Sequence, residues 1–406
     1  MSTSILFPFT QNSNQSVNII SSYTKFGYIK DNREYLDISL GNSGCFMLGF
    51  DRKDILESVY NKCKEIPFIS GEFFTTNKYI LELTDKLSQI SNGFKSFYSV
   101  SGSDANEGAV KAAALYHVSQ GNLNKKIILG ISESYHGCTY LTSSISALQP
   151  MTVALGSSNM CQQITRNTDG NVLLKNIKSK INELGSSNIS CLVIESCSYL
   201  GGLTPYNQDF WKSLRNLCTE NNILLIIDDI AMCGGKTGKI LSFDIMPDIF
   251  TMGKALSGGY FPLSVTLISP MIFNSIKNER WMHGFTYSFN CSGIYSALEY
   301  LNIIEKENIL KNYNNILANA ILLFNRLVDQ RIIASYTNNG LYFNLKFHPI
   351  SNYNQIESHF SKYGLNIGPD NFKWKGLRVI VPLVADDKYF EMLETNLSLA
   401  LTYLEQ

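Results

Sequence analysis

The stretch "LLIIDDIAMCGGKTGKILSFDIMPDIFTMGKALSGGY" occupies residues 224–260. It opens as a leucine and isoleucine run that suits a strand buried on both faces of a parallel sheet. That run ends in two aspartates, Asp228 and Asp229. A carboxylate at the end of such a strand needs a cationic partner or water, because burying it alone is costly. A second apolar run, "IFTMG" (249–253), leads straight to a lone lysine, Lys254, in a glycine-rich turn. Taken alone, the stretch also fits a strand that surfaces into an acidic loop. Its surroundings decide between the two.

Outward from it, short apolar runs recur: "IILGIS" (127–132), "CLVIES" (191–196), "ILLIID" (223–228) and "SVTLIS" (264–269). Helical segments separate several of them. In "NEGAVKAAALYH" (106–117), Ala109, Ala112, Ala113 and Tyr116 share one face of a helix. Strands and helices in alternation predict an α/β fold with a mostly parallel sheet flanked by helices. The C-terminal part differs. A long helix is expected at 308–330, strands at 341–347 and 377–383, and a final helix from Asp386 with Phe390, Leu393, Leu397, Ala400 and Leu404 on its apolar stripe. The domains expected are a large α/β domain at 56–300 and a smaller α+β domain built from both termini, 1–55 and 301–406.

The chain has 406 residues, 45% hydrophobic and 17% charged, with zero formal net charge. A balanced charge argues against a nucleic-acid partner. Nine cysteines are scattered without a CxxC pair, which suits thiols of a cytoplasmic protein better than a disulfide framework or a zinc site. No metal is expected. No basic residue precedes Lys25, so nothing resembles a secretory leader. No apolar run approaches the roughly 20 residues that cross a bilayer, and no membrane partner is expected.

Two further stretches carry chemistry. "FYSVSGSDANEGAVKAAALYH" (97–117) reads as a strand, a Ser-Gly-Ser turn and a helix that Ser103 or Asp104 can cap. Gly102 lets the backbone approach a ligand, and free amides at a helix start suit a phosphate. "ESYHGCTY" (133–140) places Tyr135, His136 and Gly137 at the C-terminal end of another strand, where open α/β sheets bind ligands. Alone, the first is more often a glycine turn with an ordinary cap, Tyr135 a packed aromatic and His136 a satisfied hydrogen-bonding residue.

In order along the chain, "SGSDANEGAVKAA", "SYHGCTY", "CLVIESCSYLGG", "IIDDIAMCGGKTGK", "PDIFTMGKALSGGYFPL" and "HGFTYSFN" resemble the signature blocks of the class III pyridoxal-phosphate-dependent aminotransferases. The resemblance implies fold type I, pyridoxal 5′-phosphate as cofactor, and a ping-pong transfer of an amino group from an amine or amino acid to an oxo acid or aldehyde. It implies Lys254 as the Schiff-base lysine and Asp228 as the carboxylate at the pyridinium nitrogen, the two groups that this cofactor's chemistry needs. It further implies Gly102 and Ser103 on the phosphate, Tyr135 and Ile230 on the two ring faces, and Arg378 on a substrate carboxylate. Thr286 would bind the phosphate of a neighbouring subunit's cofactor, which makes a homodimer the expected assembly.

Several positions depart from the family pattern. Ala231 stands where a glutamine is common, Asp229 replaces a glutamate, Lys236 an arginine and Ser196 a proline. Leu200 sits where many members carry a glutamate that pairs with the substrate-binding arginine. Asp229 is therefore expected to be structural. Two other readings fit the same blocks: an aminomutase or amino-acid racemase on this scaffold, and a silent binding protein, which intact Lys254 and Asp228 oppose.

Overall fold

The computed structural model describes Pro8 and residues 19–146, 148–198, 200–203, 205–348, 356–367 and 376–402. The chain divides into two compact units, one of Lys53–Lys311 and one of Met1–Arg52 with Asn312–Gln406.

The Lys53–Lys311 unit is built on a seven-stranded sheet. Numbering all strands in chain order from the N-terminus, its members are β4 (Lys95–Ser99), β5 (Ile127–Ile131), β6 (Cys161–Ile164), β7 (Ile189–Glu195), β8 (Leu224–Asp228), β9 (Ile249–Met252) and β10 (Ser264–Ile268). They lie in the order β4-β10-β9-β8-β7-β5-β6. The pairs from β9 to β6 are parallel, and β10 runs antiparallel to both of its neighbours. Every residue of β7 and of β8 is buried, as a parallel sheet covered on both faces requires. The helix Gly102–Ser119 turns Ala109, Ala112 and Ala113 onto Ile128, Cys191, Leu224 and Ile249. Alanines there let the helix lie close to the sheet.

At the N-terminal ends of the parallel strands Lys125 closes the structure. Its ammonium donates to the carbonyls of Ser186 (2.8 Å), Ile189 (3.0 Å) and Asn222 (2.8 Å). The opposite, C-terminal ends hold the aspartates.

In the other unit, β1 (Ser22–Tyr23), β2 (Gly27–Lys30) and β3 (Arg33–Asp37) form an antiparallel ladder, with β13 (Leu365–Asn366) parallel to β3. Asp31 and Asn32, both with positive φ, make the tight turn between β2 and β3, the geometry that two-residue hairpins favour. A second sheet holds β11 (Ser335–Asn339), β12 (Tyr342–Lys346) and β14 (Gly376–Ile380). The expected long helix spans Tyr313–Asp329, after a short 3₁₀ turn at Ile309–Asn312. The last helix spans Asp387–Thr402 and buries Leu393, Leu397 and Ala400 with Tyr389. Leu404 lies outside the described residues.

Candidate active site

Asp228 ends β8 with its carboxylate buried among donors. Oδ2 accepts from Nδ2 of Asn106 (2.8 Å) and faces Nδ1 of His136 (2.9 Å). Oδ1 accepts from the amide of Ile230 (3.1 Å) and the hydroxyl of Thr251 (3.4 Å). Burial pushes this carboxyl upward, but His136, the Ile230 amide and Asn106 together outweigh it and hold Asp228 below the usual carboxylate range. Asn106 is itself fixed, donating to the carbonyl of His136 and accepting from Thr251 (2.9 Å). Thr251 stands opposite Asp228 in the β8–β9 register. Four separate segments thus converge on one carboxylate and keep it ionised.

Asp229 points into a different setting. It accepts from the hydroxyl of Ser196 (2.6 Å) and from the amide (3.1 Å) and hydroxyl of Ser242. It is completely buried, and burial pushes its carboxyl up to about 7 against these hydrogen bonds and the charge of Lys236. Its partners tie the end of β8 to the loops at 196 and 242.

Lys254 follows β9 by two residues and adopts a left-handed backbone, φ 45°. A non-glycine residue in that region carries strain, and such strain collects at functional positions. Gly253 before it is a point of close approach: a Cβ there would lie 2.5 Å from Oγ of Ser264 and 3.3 Å from Cγ2 of Ile230. Gly102 packs on the same isoleucine, where a Cβ would meet Cδ1 at 2.9 Å. Gly137, at φ 134°, would press a Cβ to 2.4 Å from Oγ of Ser103. Glycines from three segments therefore let the backbone pack directly against Ile230, Ser264 and Ser103, where a side chain would clash.

The helix that starts at Gly102 is capped by Ser101, whose hydroxyl accepts from the Asp104 amide (3.2 Å). The expected cap at Ser103 or Asp104 is corrected by this. Ser101 has the extended backbone that a cap needs, while Ser103 is already helical. Ser103 is thereby released, and its Oγ accepts from the amide of Cys138 (3.0 Å).

Tyr135 is half-buried, and its amide approaches Oε1 of Glu195 at 3.4 Å. Ile230 is buried beside Gly102 and Gly253. Thr286 is exposed in a loop whose neighbours Met282, Phe285 and Tyr287 are exposed as well, and Tyr287 meets Phe68 edge-on at 6.1 Å. Arg378 lies buried on β14, opposite Asn344. It belongs to the other unit. Leu200 is buried. The structure thus brings Gly102 and Gly253 together on Ile230, whose amide donates to Asp228, with Ser103 next to Gly102 and Lys254 next to Gly253 in the chain. Asn106, Thr251 and Glu195 were missed from the sequence. An asparagine among alanines at 106 marks a polar group that must find partners once buried, but not which partners.

Among the described residues, no group of three or more His, Cys, Asp or Glu side chains is arranged to hold a metal ion, and no helix is long and apolar enough to cross a membrane. All nine cysteines are thiols.

The family model "Aminotransferase class-III" matches residues 10–401. An adenosylmethionine-8-amino-7-oxononanoate aminotransferase of Methanocaldococcus jannaschii is 28% identical over 76% of this chain and 75% of its own length. A probable mitochondrial gamma-aminobutyrate transaminase of Oryza sativa subsp. indica is 27% identical over 75% of this chain and 67% of its own. The crystal structure of an omega transaminase from Pseudomonas jessenii in complex with PMP superposes with a TM-score of 0.91 at 20% identity, over 98% of this chain and 96% of that one. At that identity the likeness speaks for the fold, which is that of the transaminases.

Proposed function

Since the chain belongs to the class III aminotransferases, which work with pyridoxal 5′-phosphate, we propose that it moves an amino group from an amine or amino acid to an oxo acid or aldehyde in two alternating half-reactions. The observation that carries this reading is the buried Asp228, held ionised by His136, Asn106 and Ile230 beside the strand that delivers Lys254. When bound, the cofactor supplies an electron sink for the substrate's α-carbon. With the cofactor bound, Asp228 would hold a proton at its ring nitrogen, a role that an ionised and desolvated acceptor suits. The Lys254 amine would anchor the cofactor and, once freed, would carry the proton to and from the substrate carbon.

The remaining residues fit the cofactor's shape. Gly102 and Gly137 bring the backbone up against Ile230 and Ser103, where no side chain would fit, and Ser103 with the first amides of its helix can receive a phosphate. Tyr135 and Ile230 are assigned to the two faces of the ring. Arg378 is the guanidinium assigned to the substrate carboxylate.

We further propose a homodimer in which Thr286 reaches the partner's phosphate. Its exposure, and that of the apolar side chains around it, supports this. We place the cofactor on the Lys53–Lys311 unit, and the protein in a reducing, cytoplasmic setting that suits nine thiols.

A panel of amino donors tested against pyruvate and 2-oxoglutarate, with the cofactor's absorbance followed after each addition, tests the reading. Donors alone should change the absorbance and acceptors restore it. A chain that binds the cofactor and answers to no donor would refute the proposal.

A further inference from the structure

Thr286 stands at the tip of a closed turn. The amide of Ser288 donates to the carbonyl of Phe285 (2.9 Å), and the amide of Phe285 donates to the Ser288 hydroxyl (2.7 Å). Residues 284–287 are exposed, whereas His283 on one side and Ser288 on the other are buried. The His283 ring is boxed by Phe97 (5.4 Å between centroids), Trp281 (5.8 Å) and Phe285 (5.6 Å). Its Nε2 lies 3.0 Å from Oδ1 and 3.3 Å from the carbonyl oxygen of Asp104, and its Nδ1 lies 3.1 Å from the ammonium of Lys111. An ammonium has only donors, so Nδ1 accepts from Lys111 and the ring hydrogen on Nε2 faces Asp104. Gly108 makes room for the ring: a Cβ there would stand 3.1 Å from its Cδ2 and 3.2 Å from its Nε2. Asp104, Gly108 and Lys111 share one face of the helix Gly102–Ser119.

Resting on the assignment of Thr286 to the partner's phosphate, we infer that His283 is a positioning residue that ties the Thr286 turn to the first turn of the helix Gly102–Ser119. One helix then receives its own subunit's phosphate and fixes the threonine offered to the other. Asp104 follows Ser103 in that first turn, and its buried carboxyl gives the imidazole a fixed point to lean on. A threonine at the tip of an exposed turn reaches a phosphate only if the turn is aimed from behind, and a misplacement of about 1 Å can cost the contact. Phe97 also meets Phe289 edge-on at 6.4 Å and braces the far end of the turn. Removing the imidazole therefore loosens one end of the turn and leaves the sheet in place.

Two measurements test this. In the cofactor-free protein, His283→Ala should speed amide hydrogen exchange across residues 283–288 by about tenfold or more and leave exchange in the strands unchanged. In the loaded protein, a double-mutant cycle reads the dissociation constant of pyridoxal 5′-phosphate. Thr286→Ala and His283→Ala should each weaken binding about tenfold or more, and Thr286→Ala should cost less than about threefold once His283 is gone. His283→Gln, whose amide nitrogen can stand where Nε2 stood, should restore most of the affinity, and the shorter His283→Asn should not. Losses that multiply in the double variant, or unchanged exchange in the turn, would overturn the inference. Should His283→Ala not fold, the other two variants carry the same cycle: Thr286→Ala should keep its full cost in His283→Gln and lose it in His283→Asn. Failure of the shared-site reading looks different. Thr286→Ala alone would then leave retention unchanged, and the inference would fall with that reading.

Discussion

Lys254 and Asp228 are separated by a turn and one strand, and each has a backbone or side-chain arrangement that an ordinary surface residue would not need. Borohydride reduction of the loaded protein followed by peptide mapping should place the cofactor on Lys254, and an adduct on Lys236 or Lys239 would refute the assignment. Lys254→Ala should abolish turnover while the chain stays folded. Because residue 254 sits at φ 45°, Lys254→Gly should be the more stable of the two inactive variants by about 1 kcal/mol, reversing the order expected inside a helix; equilibrium unfolding compares them. Asp228→Asn should cost orders of magnitude in rate with the cofactor retained, and Asp229→Asn far less. Asp229 has a separate signature. Its carboxyl is raised to about 7, so its contribution to stability is full below about pH 4 and lost by about pH 7. Relative to Asp229→Asn the parent should lose up to about 1.4 kcal/mol per pH unit across that window. Urea titrations at several pH values measure it. The lysine and the two aspartates were readable because they interrupt apolar runs. Asn106, which lies 122 positions from Asp228 in sequence, was not, because only folding brings it there.

At the scale of elements, the alternation of apolar runs with helical segments was enough to anticipate an α/β sheet. The runs at 127, 191, 223, 249 and 264 all became strands. The edge strand β6, "CQQI", was invisible: a strand with one neighbour is half-covered, and Gln162 and Gln163 break its apolar pattern. The reversed direction of β10 was equally hidden, since an apolar run does not record which way it points. The turn carrying Gly137 makes a claim that can be measured. Gly137→Ala would need a left-handed backbone and push against Ser103. It should lower cofactor affinity at least tenfold while the sheet persists by circular dichroism; unchanged affinity would detach Ser103 from the phosphate.

At the scale of the whole molecule, both termini belong to one unit, joined in part by the pair of Lys25 and Asp386 at 2.7 Å. The sequence places the expected domain boundaries at 56 and 300, while the compact units divide the chain at 52/53 and 311/312. Which partner or substrate the chain meets was not legible, because loops rather than periodic elements carry that information. Leu200 is the exception. Under the proposed assignment of Arg378 to the substrate, a leucine at 200 offers no carboxylate to offset the arginine's charge when the substrate lacks one. Turnover of 4-aminobutyrate with 2-oxoglutarate should therefore be poor, and a donor bearing its own α-carboxylate should do better. Efficient turnover of that pair in a coupled assay would sink the assignment of Leu200. Sedimentation should find a dimer, and Thr286→Ala should weaken cofactor retention by about 1.5–3 kcal/mol, the value of one charge-assisted hydrogen bond. An active, loaded monomer would refute the shared site.

The exposed loop around Thr286 carries a last consequence, one of mass action. Met282, Phe285 and Tyr287 stand in water on an isolated chain, together with Phe68. If a second copy covers them, folding and association are one equilibrium, and dilution alone drains the native state. The melting temperature should then rise with protein concentration. The concentration at which that dependence sets in would mark where the enzyme begins to come apart.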